Sequence, residues 1–214
     1  MPKVVDHHRR REDLALLTLD VIRTAGIGGA TVRQIARRGR LSIGVLTRYF
    51  TGKDEMLAFA FRWLAEKTLE DLEQLASTHA PGLPRLEAAL RLQTTSDEPG
   101  GIGLWLSLWD RAVRNPKFRN EHRAFYGRWR GFVRTCLRDA AALGQMRPLI
   151  ALDDATDLVV AAVDGIWLEG AFEPARFTAP RRQLLLGLLV NVLTQGNPAR
   201  SKAAAAKNSR RAVS

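Results

Sequence analysis

Residues 31–53 read TVRQIARRGRLSIGVLTRYFTGK, and this stretch decides the fold. Thr31 precedes Val32, Ile35 and Ala36, a helix start with a short apolar face. Ser42 can cap a second short helix that runs through Tyr49. The tight turn Gly39-Arg40-Leu41 joins them, which is the spacing of a helix-turn-helix. In such a pair the first helix braces against a core through Val32, Ile35 and Ala36. The second exposes Ile43, Gly44, Thr47 and Arg48, while Val45 or Leu46 and Phe50 turn inward. A helix presented in this way fits the major groove of DNA, where base edges differ.

Outward from this stretch the punctuation stays helical. Arg9 to Ala25 places Leu14, Leu17, Val21, Ile22 and Ala25 on one face of a 3.6-residue period, with Gly26 as the stop signal. Lys53 to about Ser77 repeats apolar residues at Leu57, Phe61, Leu64, Ala65, Leu69, Leu72 and Leu75. Pro81-Gly82-Leu83-Pro84 breaks the pattern. Further helices are expected at about 84–95, 101–114, 116–142, 153–173 and 178–194, separated by Asn115-Pro116 and by Gly144 to Pro148, with Asp153 as an N-cap. No alternating run of β-branched residues appears, so the chain reads as all-α. The expected organisation is a helix-turn-helix domain over 1–53, a helical body over 54–194, and a flexible basic tail over 195–214.

Charge agrees with that division. Of a formal net charge of +11, residues 1–53 carry +7 and residues 195–214 carry +5, leaving 54–194 at −1. A basic head on a neutral body suits a polyanion partner. With 46% hydrophobic and 26% charged residues, disorder of the whole chain is excluded. A single cysteine excludes a disulfide framework and fits a reducing, cytoplasmic compartment. The longest apolar run, about ten residues from Leu184 to Leu193, falls short of the roughly 20 that a membrane span needs. MPKVVDHHRRRED has no apolar signal region.

Catalytic chemistry has no foothold. No nucleophile, base and orienter pattern appears, nor a Gly-rich phosphate loop, so no enzyme and no cofactor is expected. His7 and His8 lack a third metal ligand and read as a disordered basic arm with Arg9, Arg10 and Arg11, one able to touch DNA. His79 and His122 have no ligand spacing around them. Cys136 sits on the apolar face of Phe125, Trp129, Phe132 and Val133, as a buried, inert thiol does.

The pattern Ala25-Gly26, Thr31-Val32, Ile35-Ala36, Ser42, Gly44, Leu46, Tyr49-Phe50 and Lys53 resembles the DNA-binding domain of TetR-type transcriptional regulators. Trp105 to Asp110 (WLSLWD), Asn115-Pro116, a long Arg-rich helix and Asp164 to Leu168 are similar to the C-terminal domain of the BetI-like branch. The resemblance implies a homodimeric repressor, with double-stranded operator DNA and a small-molecule effector as partners and no membrane. It implies phosphate contacts from Thr31, Tyr49 and Lys53, and places Ser42, Ile43, Gly44 and Thr47 at the groove surface. Arg33 and Arg48 are the candidates for reading bases, since arginine pairs bidentately with guanine. Two departures stand out. Where the family has Ala-Gly in the turn this chain has Gly39-Arg40, so either Arg40 takes a left-handed conformation or Gly39 absorbs the geometry. Thr47 stands where the family often has a phosphate-contacting tyrosine.

Five tryptophans remain. Trp63 belongs with the long fourth helix; Trp105 and Trp109 are four apart, on one face. The family binds effectors between body helices, which makes Trp105, Trp109, Phe125, Trp129 and Trp167 the candidate effector lining, against the plain alternative of core packing. Indole faces attract quaternary ammonium groups, and Asp110, Asp164 and Glu169 lie in the same segments. A cation such as choline is therefore the leading effector class, with an uncharged hydrophobic compound as its rival. The resemblance places the dimer interface on the helices at about 153–173 and 178–194, with Gly165, Gly170 and Gly187 allowing close approach. Other readings are an activator or effector-independent regulator of the same type, and a helical protein-interaction adaptor.

Overall fold

A computed structural model describes residues 7–95, 101–146 and 150–195. Among them are nine helices and no strand. They are α1 (His7–Gly29), α2 (Val32–Arg38), α3 (Ile43–Tyr49), α4 (Lys53–Thr78), α5 (Leu83–Thr95), α6 (Gly101–Arg114), α7 (Pro116–Ala142), α8 (Leu152–Phe172) and α9 (Ala179–Gln195). The all-α expectation therefore holds. No helix among the described residues is long and apolar enough to cross a membrane. Most of the tail, the arm before His7 and the residues around Pro148 lie outside the described residues.

Two differences from the sequence reading are local. His7 to Arg11, expected as a disordered arm, form the first turns of α1. Asp153 is not the N-cap of α8: Ala151 takes that position, and Asp153 and Asp154 sit in the first turn, where the helix dipole favours carboxylates.

The chain divides into two compact units, with the division falling inside α4 and α7. The first holds α1 to α3, most of α4, α6 and the start of α7. Here α1 lies against α2 and α6, and α2 against α3. Their common core is Leu14, Leu19, Val21, Ile22, Ile35, Ala36, Leu46, Phe50, Met56, Leu57 and Phe118, all buried. Helix α1 breaks at Gly26, whose φ of 68° glycine alone accepts without strain. The α6–α7 corner is fastened by Arg119, which donates to Ala112 O at 3.3 Å and Val113 O at 2.6 Å.

In the second unit α5 packs on α8 and α9, and α8 on α9. Val159, Val160 and Val163 of α8 and Leu186, Val190 and Leu193 of α9 are buried. Gln145 staples the turn before α5: its Oε1 accepts Leu83 N–H at 2.7 Å and its Nε2 donates to Pro81 O at 3.3 Å. Cys136 is buried, and burial pushes its thiol up to about 11.

Candidate nucleic-acid interface

The helix pair sorts its residues by duty. Ile35 and Ala36 of α2 and Leu46 of α3 are buried, as is Phe50 just beyond. Of the inward alternatives, Leu46 is the buried residue and Val45 is half-buried. On the other side Thr31, Arg33, Ser42, Ile43, Gly44, Thr47 and Arg48 are exposed, Ile43 by 46%. Tyr49 and Lys53 are half-buried at the rim.

Each exposed group keeps a definite hydrogen-bonding capacity. Thr31 is the N-cap of α2, and its hydroxyl oxygen accepts Gln34 N–H at 3.2 Å. A hydroxyl has one donor besides its lone pairs, so the cap leaves the Thr31 O–H free for an outside acceptor. Thr47 is the reverse case. Its O–H points back to Ile43 O and Gly44 O, each at 3.3 Å, which leaves only lone pairs to offer. The Arg33 and Arg48 guanidiniums have no hydrogen bond or ion pair among the described residues. Ser42 occupies the N-cap of α3 without a side-chain cap bond. A Cβ at Gly44 would meet nothing nearer than Ser42 Oγ at 3.8 Å, so the fold itself does not require glycine there. Lys53 Nζ donates to Gly28 O at 3.3 Å, at the end of α1. The His7 ring lies 5.6 Å from that of Tyr49, placing the start of α1 beside the end of α3.

Behind this face stand Glu55 and Thr51, which the sequence did not single out, and Arg11, expected in a loose arm but held inside the head. Glu55 Oε2 accepts Thr51 N–H at 2.7 Å and the Thr51 hydroxyl at 2.8 Å, and Oε1 accepts Arg11 at 3.3 Å. The Thr51 bonds above all, with the Arg11 charge, hold the Glu55 carboxyl below the usual range. The Arg11 guanidinium lies over the rings of Phe59 at 4.4 Å and Phe50 at 5.0 Å. This cluster fixes the exit of α3 onto the start of α4 and back to α1. Glu55 in the first turn of α4, soon after Thr51, is a capping signal the sequence does carry; the Arg11 partnership spans 44 residues and leaves no local trace.

The turn resolves the Gly39-Arg40 alternative. Arg40 takes the left-handed conformation, with φ 52°, while Gly39 is right-handed, with φ −85°. Gly39 serves space instead, since a Cβ there would collide with the Leu17 side chain.

The candidate effector residues fall in both units. In the first, Trp105 stacks on Phe125 at 5.1 Å and meets Phe61 edge-on at 5.8 Å. Tyr126 meets Phe125 edge-on at 5.4 Å and stacks with His122 at 4.3 Å. Trp109, a turn along α6 from Trp105, has an enclosed indole N–H without a partner. Trp129 and Trp167 belong to the second unit; Trp129 is buried beside Phe132, and the Trp167 indole N–H is also enclosed and unpartnered. Phe61 and Tyr126 were read only as core positions or not singled out. Of the carboxylates, Asp110 is exposed and paired with Arg114 at 2.9 Å, and Glu169 is exposed. Among the described residues no cluster of His, Cys, Asp and Glu could hold a metal.

Comparison with known proteins fits this geometry. Residues 17–59 match the family described as bacterial regulatory proteins, tetR family, and residues 83–194 match the BetI-type transcriptional repressor C-terminal family. The chain is 30% identical over 198 residues to the HTH-type transcriptional regulator PksA of Bacillus subtilis, covering 85% of this chain and 88% of that one. A transcriptional regulator from Pseudomonas aeruginosa PAO1 superposes with a TM-score of 0.79 at 26% identity, over 90% of this chain and 94% of its own. A regulator from Saccharomonospora viridis, solved in complex with choline, shares the fold with a TM-score of 0.80 at 18% identity, over 87% of this chain and 98% of its own.

Proposed function

The chain belongs to the TetR family of bacterial regulatory proteins, with a BetI-type repressor C-terminal domain, and from that premise we propose a homodimeric cytoplasmic repressor released from a two-fold operator by a small-molecule effector. It is a DNA-binding transcriptional regulator and not an enzyme. The observation that carries the finer reading is the exposed side of α2 and α3. Arg33 and Arg48 stand there without internal partners, on a brace of buried Ile35, Ala36, Leu46 and Phe50.

In this reading residues 1–53 are the reading head and 54–194 the effector-binding and dimerising body. Helix α3 enters the major groove. Thr31 donates its free O–H to a backbone phosphate, and Tyr49 and Lys53 grip phosphates at the rim. Arg33 and Arg48 read bases, Ile43 meets a thymine methyl, and Gly44 lets the backbone approach closely. Thr47, its O–H already used, accepts from a base amino group rather than donating to phosphate.

Dimerisation falls to α8 and α9. Leu186, Val190 and Leu193 already bury one side of α9, while Leu184, Leu188 and Val192 remain 52%, 50% and 68% exposed along another. That second stripe is apolar surface suited to a partner. Gly165 and Gly187 have open space above them; the space at Gly170 is taken by Arg182 and Phe177 of the same chain.

The effector docks on indole and phenyl faces in the body, where Trp105 and Phe125 are already stacked. A quaternary ammonium such as choline is the leading class, supported by the choline-bound relative and by ring faces that stabilise a desolvated cation. The Asp110–Arg114 pair removes one carboxylate from that account. Effector binding favours a released conformation, so the effector binds that form more tightly than the DNA-bound one. Footprinting on the DNA upstream of its own gene and its divergent neighbour tests the proposal. A protected inverted repeat, lost on adding effector, is the expected result; uniform weak retardation of every duplex overturns it.

A further inference from the structure

The turn of the head carries a cation cluster that the groove-facing surface of α3 leaves unused. Arg37, Arg38 and Arg40, with Val21, Thr24 and Gln34, line a concave pocket of about 350 Å³. All three arginines are exposed at their residue level. Arg37 is held by a neutral partner, Gln34 Oε1, at 2.9 Å, so its charge stays uncompensated. Arg38 shares the Asp20 carboxylate with Arg23. The Arg40 guanidinium has no hydrogen bond or ion pair among the described residues.

Arg37 and Arg38 have a reason within the fold. They end α2, where the carbonyl terminus favours cations. Arg40 closes α2 through its backbone: its N–H donates to Arg37 O at 3.2 Å and Leu41 N–H donates to Ala36 O at 2.9 Å, a C-cap that sets its φ at 52°. Glycine suits that φ best, so the fold needs the Arg40 backbone there and not its side chain. A guanidinium without internal partners, carried where the cap favours glycine, points to a role outside the fold. Arg33 and Arg37 are one turn apart on the same face of α2, so the cluster continues a basic line that starts at a candidate base reader. Guanidinium groups match phosphate oxygens in a planar, two-bond geometry.

We infer that Arg37, Arg38 and Arg40 form an accessory phosphate site that takes a phosphodiester of the DNA backbone outside the base pairs read by α3. The inference rests on the DNA-binding reading above. An open rim of exposed guanidiniums suits a polymer passing across it, and the head's net charge of +7 suits the same partner. The contact carries no sequence information and strengthens operator and random DNA alike.

Salt dependence of binding tests it, with wild type, Arg40→Gly, Arg40→Lys and Arg37→Gln on an operator duplex and a random-sequence duplex. Arg40→Gly relieves the strain, so its melting temperature is expected to match or exceed wild type. Its slope of log affinity against log salt is expected to flatten by about 0.9, equally on both duplexes, for one lost phosphate contact. Arg40→Lys keeps most of the slope, and Arg37→Gln repeats the loss. Wild-type slopes in Arg40→Gly and Arg37→Gln overturn the inference while leaving the regulator reading intact. A pyrophosphate-induced rise in melting temperature that needs Arg40, with unchanged DNA slopes, makes the cluster a free-anion site and also overturns it. A wild-type protein that retards no duplex overturns both readings.

Discussion

Asp20 and Arg38, 18 residues apart, meet at 2.7 Å between a carboxylate oxygen and the guanidinium Nε, tying the end of α2 back to α1. The Arg38 hydrogen bond first, and that of Arg23 second, hold the Asp20 carboxyl below its ordinary value of 3.8. A depressed folded value means the pair stabilises above the unfolded value and loses that contribution as pH falls through the folded one. Asp20→Asn is expected to destabilise by about 0.2–1 kcal/mol at neutral pH, the scale of partly exposed pairs. Urea melts across the acid range check this: the gap to wild type should close once pH drops below the folded value.

Gly39 and Leu17 make a second, purely steric pair. Gly39→Ala forces a methyl into the Leu17 side chain and should cost about 1–3 kcal/mol, as overpacking does. Leu17→Ala in the same chain should restore much of it. Denaturant midpoints of the two single variants and the double variant measure the coupling; additive losses would show that the clash is not the cause.

On DNA, Lys53→Ala should weaken operator and random duplexes alike and flatten the salt slope by about 0.9. Arg33→Ala should instead relax discrimination at particular base pairs, by about 1–3 kcal/mol each for a bidentate contact. Competition binding with single-base operator variants separates the two. A uniform loss in Arg33→Ala reassigns that residue to phosphate. Because Lys53 also holds Gly28 O, a melting curve for Lys53→Ala accompanies the measurement.

Leu188→Glu puts a charge in the middle of the exposed α9 stripe. It should leave the helical content unchanged and shift sedimentation from dimer to monomer at micromolar concentration. Operator affinity should fall with it, because in the proposed dimer each head reads one half-site. A wild-type protein that already sediments as a monomer contradicts the dimer.

Choline and a neutral isostere of the same size should differ in quenching tryptophan fluorescence and in releasing DNA. One ring face supplies only about 0.5–2 kcal/mol to a cation, whereas millimolar binding already requires about 4 kcal/mol. Trp105→Ala should therefore weaken the choline response without abolishing it. Equal responses to both compounds would falsify the cation preference.

The sequence carried the helices well because their signals are local. Thr31 caps α2, Pro116 opens α7, and the apolar repeats of α4 and α8 each follow one period. Phe50 was legible as an inward residue for the same reason, and Leu46 only as one of two alternatives with Val45. What escaped was long-range. Arg11 over Phe50 and Phe59, Glu55 under Arg11, and Arg38 on Asp20 are pairings between segments far apart in the chain. Arg40 was readable only as one of two options, since Leu17 decides that Gly39 must stay small. Asp153 misled because a carboxylate suits the first turn of a helix as well as its cap.

The division of labour on α2 and α3 bears on how such a head changes its target. Arg33, Ile43, Gly44, Thr47 and Arg48 lie outside the core: they are exposed, the Thr47 hydroxyl bonds only within its own helix, and Gly44 meets no crowding that demands glycine. Substitutions there should cost little folding free energy, since exposed sites away from special features stay within about ±0.5 kcal/mol. Leu46, Phe50, Ile35 and the Arg11–Glu55 cluster carry the fold instead. If these five positions read the operator as proposed, a lineage can drift from one operator to another through single steps that stay folded, and a library randomised there should yield mostly folded variants with altered DNA preference.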